Sequence, residues 1–80
     1  MSNFKPSATG YNTYYGIDNP VSDTQAPTYK QLLSKIRKWL LKEECDKVCI
    51  SRSRRGEWGE WFEWWEKSGN KIVKTKEGWM

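Results

Sequence analysis

Eighty residues make one domain at most, near the lower limit of what folds unaided. Six Trp, four Tyr and two Phe supply large rings to a chain that is only 36% hydrophobic, and such rings bury enough surface to hold a small fold together. With no histidine and two cysteines, Cys45 and Cys49, the chain lacks both the four ligands of a structural zinc site and the Ser–His or Cys–His pairs of nucleophilic catalysis. No cofactor, no metal and no enzymatic activity are expected.

The opening MSNFKPSATG has neither a basic cluster nor an apolar run, so no signal peptide is expected. No segment approaches the roughly 18 apolar residues of a membrane span. Free thiols suit a reducing compartment. The reading is a cytoplasmic protein with no membrane partner.

Residues 1–27 are rich in Ser, Thr, Asn, Gly and Pro and show no period. They read as an irregular arm. Tyr11, Tyr14, Tyr15 and Ile17 imply that the arm lies down on the domain or on a partner.

Residues 28–44 show one helical face, with Tyr29, Leu32, Leu33, Ile36, Trp39 and Leu40 at i, i+3, i+4, i+7, i+10 and i+11. Thr28 with Gln31 fits a capping box, and Pro27 precedes it. Beyond Asp46 the period changes to two, and Val48, Ile50 and Arg52 alternate with Cys49, Ser51 and Ser53. Arg55-Gly56 reads as a tight turn. The segment 57–67 has both helical spacing and the aromatic density of a strand, and strand is preferred. Ser68-Gly69 then reads as a hairpin turn into Lys71–Lys76.

These elements predict an α+β domain over residues 28–80. One N-terminal amphipathic helix packs on a three-stranded antiparallel meander (αβββ), preceded by the irregular Tyr-rich arm. The register pairs Ile50 with Trp61, Trp65 with Ile72 and Glu63 with Lys74. Leu33, Ile36 and Leu40 should then pack on Ile50, Trp61 and Ile72. Trp58, Phe62, Trp64, Val73 and Trp79 fall on the second face of the sheet. The αβββ order resembles that of double-stranded-RNA-binding domains, but the closing helix of that family is absent and no residue is carried over.

Glu57, Glu60, Glu63 and Glu66 offer carboxylates, yet basic residues beside them point to a solvated or ion-paired strand. Residues 28–55 hold nine basic and three acidic side chains, a block able to attract nucleic acid or an acidic protein. Trp, Tyr and Arg dominate interface hot spots. The expected partner-binding residues are Arg52, Arg54, Arg55, Trp58, Phe62, Trp64 and Trp79. A protein partner is the leading expectation, with the chain acting as a small modulator or inhibitor. Viruses and mobile elements carry inhibitors of this compactness, which makes such an origin an analogy. Nucleic-acid binding through the arginines and aromatics is the alternative, and a structural homo-oligomer the third.

Overall fold

A computed structural model of the chain describes residues 6–52 and 61–79. The helix, α1, runs Tyr29–Leu41. Thr28 caps it in extended conformation, its Oγ1 accepting from the Gln31 backbone N–H at 3.2 Å. Leu32, Ile36 and Leu40 form the fully buried row. Leu33, expected in the core, stands at its margin beside Trp65 and Ile72. A row at i, i+4, i+8 needs one line of residues at its centre, and here that line starts at Leu32.

Five strands make one antiparallel sheet: β1 Ser7–Tyr14, β2 Ile17–Gln25, β3 Lys47–Arg52, β4 Trp61–Ser68 and β5 Lys71–Trp79, in the order β2-β1-β3-β4-β5. The α+β class stands, but the three-stranded αβββ meander does not. The chain runs ββαβββ, and the Tyr-rich arm is a hairpin that completes the sheet. β1 sits between β2 and β3 and pairs with both. Within this five-stranded sheet β3 pairs with β4 and β4 with β5, both antiparallel, and residues 61–67 are strand. The turn expected at Arg55-Gly56 lies outside the described residues.

The hairpin was hidden because its inward residues are small. Ala8 and Gly10 of β1 face α1 and are buried. A Cβ at Gly10 would stand 3.0 Å from Cys45 Sγ and 3.5 Å from Trp39 Cε3. Close approach of Cys45, with Trp39 of α1 behind it, therefore excludes at Gly10 the bulky inward residue by which a strand is usually recognised. Polar ties then fasten β1 to the head of β3. The Asp46 N–H donates to Tyr11 O at 2.9 Å, and Asp46 Oδ2 accepts from the Thr13 N–H at 2.8 Å.

The register inside the meander is displaced by two residues from expectation. Ile50 opposes Glu63 rather than Trp61, and Trp65 opposes Lys74 rather than Ile72. A two-residue slip keeps every side chain on its face. Thus Val48, Ile50, Trp65 and Ile72 still lie toward the helix. Trp79 is the exception. A bulge between Trp64 and Trp65 leaves Thr75 unpaired, reverses the alternation of β5, and brings Trp79 opposite Trp61 on the helix side.

Candidate partner-binding face

Alternation along paired strands sorts the sheet into a helix side and an open side. On the helix side the core is Ala8, Ala26, Leu32, Ile36, Leu40, Cys45, Val48 and Ile50. Next to it lies one buried acid, Glu63, with 1% of its surface exposed. Its carboxylate accepts from the Tyr29 hydroxyl, from Trp61 Nε1 at 2.9 Å and from Trp65 Nε1 at 3.2 Å. Arg52 lies 3.5 Å away and Lys74 4.0 Å away. Burial pushes the Glu63 carboxyl up, but the bonds from Tyr29, Trp61 and Trp65, with Lys74, outweigh it and hold the group below its ordinary value. Burial, and then Glu63, push the Tyr29 phenol well up, so it stays protonated and donates. The carboxylate is held by donors on every side, the condition under which a buried charge is tolerated.

This arrangement engages two expected binding residues on the helix side of the sheet, and of these Trp79 was expected on the second face. Arg52 stacks over the Tyr29 ring, its guanidinium carbon 4.1 Å from the centroid, and pairs with Glu63. The Trp79 ring meets Trp61 edge-on at 5.3 Å. Arg54, Arg55 and Trp58 lie outside the described residues. Phe62 and Trp64 do sit on the open side, opposite Ser51 and Cys49.

Around Trp64 the structure gathers residues that the sequence did not connect. Tyr11 of β1 reaches across β3 to the indole, ring centroids 5.3 Å apart and tilted by 46°. Lys47 Nζ stands 6.0 Å above the same ring and pairs with Asp18 of β2 at 3.2 Å. The Thr13 hydroxyl donates to Asp18 at 2.9 Å, and that bond and Lys47 hold the Asp18 carboxyl below its ordinary value. On the other flank the bulged Thr75 donates to Trp64 O at 3.3 Å. Asp18, Lys47, Trp64, Glu66, Thr75 and Lys76 line a shallow open groove of about 330 Å³. Period-two alternation from Trp64 points to Glu66 alone. Lys47 comes from β3, the direct neighbour of β4, while Tyr11 and Asp18 arrive through the pairing of β1 with β3 and β2, which has no local signature.

Tyr11 is the one tyrosine of the hairpin that covers part of this face; Tyr14 and Tyr15 stand 57% and 102% exposed. The two thiols are free, Cys45 in the core and Cys49 on the open side, and burial pushes both up. Among the described residues no helix is long and apolar enough to cross a membrane. Comparison with protein-family models, with curated proteins and with solved structures returned no match.

Proposed function

We propose that this protein is a small, non-enzymatic binding protein of the cell interior that docks on a protein partner through the open side of its sheet and modulates or inhibits it. The observation that carries this reading is the groove over Trp64. A half-buried indole lines it, with Lys47 and Asp18 on the β3 flank, Lys76 on the β5 flank and Glu66 beside Trp64 on β4 itself. Flat aromatic surface rimmed by both signs of charge suits a protein, whose own surface carries both signs. A phosphate backbone laid along the same groove would meet Asp18 and Glu66 as well as the lysines, and Arg52 is engaged with Glu63 on the far side. Nucleic acid is therefore the weaker reading.

The test is purification of the tagged protein with and without nuclease, followed by titration of the protein that stays bound. A stoichiometric protein band, unaffected by nuclease and lost with Trp64→Ala, is the expected result. Ultraviolet absorbance of nucleic acid that disappears on digestion would overturn it in favour of the alternative. Association of purified chains with one another and with nothing else would favour the homo-oligomer.

A further inference from the structure

The β1–β2 hairpin ends in a turn of unusual composition. Tyr14 pairs with Ile17, and the two residues between them, Tyr15 and Gly16, have φ of 54° and 76°. Two successive positive values define the tight hairpin turn for which Asn-Gly is the favoured pair. Glycine meets that demand at Gly16. A tyrosine at the first position is disfavoured, because a bulky L-residue is crowded in the left-handed region.

Tyr15 is 102% exposed, Tyr14 57% and Ile17 64%, so the tip also leaves three large side chains in water. The strand ends beneath it are tied by polar contacts. Thr13 N–H bonds Asp46 Oδ2 at 2.8 Å, Thr13 Oγ1 bonds Asp18 at 2.9 Å, and Asp18 pairs with Lys47 at 3.2 Å. A strained backbone and exposed rings on a fastened support form a pre-organised anchor.

We infer that Tyr14, Tyr15 and Ile17 are an anchor that inserts into a neutral apolar pocket of the protein partner. The charge around the tip selects that occupant. Between Tyr11 and Ser22 the one charged residue is Asp18, and Lys47 already pairs with it. The tip thus offers no cation to an anionic lipid surface or to a phosphate backbone. It offers apolar rings with a hydroxyl at each end, which calls for an apolar cleft with a hydrogen-bond acceptor in its floor. This inference rests on the protein-partner reading and adds a surface distinct from the Trp64 groove.

The test uses the full chain with a photo-reactive benzoylphenylalanine at position 15, and at Lys30 on the helix surface as control, in the cells that supply the partner. The protein cross-linked from position 15 is then purified and titrated with the parent, Tyr15→Asn and Trp64→Ala. Tyr15→Asn should keep or raise Tm, because asparagine is better suited to the turn. It should also weaken binding at least about 30-fold, the loss expected of a hot spot. A lower Tm for Tyr15→Asn would mean that the fold itself uses the ring, and normal affinity would mean that the partner does not; either overturns the anchor. Loss with Trp64→Ala but not with Tyr15→Asn would retain the groove and reject the tip, and the reverse would retain the tip and reject the groove. Cross-linking to lipid or nucleic acid in place of protein would overturn the assigned occupant.

Discussion

The two sides of β4 put alternate residues of one aromatic strand into different surroundings. Toward the helix, Trp61 and Trp65 donate their indole N–H groups to a buried carboxylate. Toward the open side, Phe62 and Trp64 lie partly exposed, with Tyr11 alongside Trp64. The first pair belongs to an enclosed network centred on the Glu63 carboxylate, in which Arg52 Nε is buried without a hydrogen-bond partner. The second is a surface with solvent above it. Aromatic density along a strand therefore says nothing by itself about binding; what lies over each ring decides. Substitutions on the helix side should register as lost stability, and those on the open side as lost partner binding.

The largest effect belongs to the enclosed row of α1. Leu32→Ala should cost about 2–5 kcal/mol, a large fraction of the about 5–15 kcal/mol that holds a small domain folded. Thermal denaturation should show Tm lower by about 10 °C or more. Leu33→Ala, at the margin, should cost clearly less. Equal losses would mean that the buried line has been placed on the wrong residues.

Glu63 comes next. Replacing it with Gln removes the charge that Arg52 and Lys74 face, and breaking a buried pair costs about 3–5 kcal/mol. Both cations keep about a third of their side-chain surface in solvent, 33% and 37%, which places the loss toward the lower end. The pH dependence follows from the direction of the shift. The folded carboxyl titrates below its unfolded value, so its contribution is complete above the unfolded value of about 4.3. It is lost as pH falls from there through the folded value. Denaturant titrations between neutral and acid pH should show stability declining below about pH 4.3 in the parent, and a flatter acid limb in Glu63→Gln. Identical limbs would show that the network does not lower this carboxyl.

Gly10→Ala tests the close approach of Cys45, in the connection from α1 to β3, to the sheet. The added methyl would meet Cys45 Sγ at 3.0 Å and Cys45 Cβ at 3.3 Å. Such overpacking costs about 1–3 kcal/mol. Gly10→Ala combined with Cys45→Ala should recover part of the loss, and a double variant no better than the single would place the strain elsewhere.

Trp64→Ala should have the smallest effect on the fold and the largest on binding. It gives up the Tyr11 pairing, worth about 1 kcal/mol, and opens no enclosed cavity because solvent already borders the groove. A fall in Tm as large as that of Leu32→Ala would erase the distinction between the two sides and make Trp64 a core residue.

Much of this architecture was legible without coordinates, because its signals are local. The apolar face of α1 and its Thr28 cap are properties of a few adjacent residues, as is the alternation that separates Val48 and Ile50 from Cys49, although the line at the centre of that face proved to start at Leu32 rather than Leu33. The sides of β3 and β4 survived a two-residue error in register because side-chain parity repeats every two residues. What the tertiary structure alone decided depends on partners remote in sequence or on one irregular residue. β1 became a central strand through β3, some forty residues away, and its small inward residues record the closeness of Cys45 and α1 rather than any strand preference. The unpaired Thr75 reversed Trp79, since one extra residue changes the side of everything beyond it. Glu63 became buried because Tyr29, Trp61, Trp65 and Arg52 converge where it points. Spacing along a chain sets which residues share a side; only the packed neighbours determine whether that side holds water, a carboxylate or a partner.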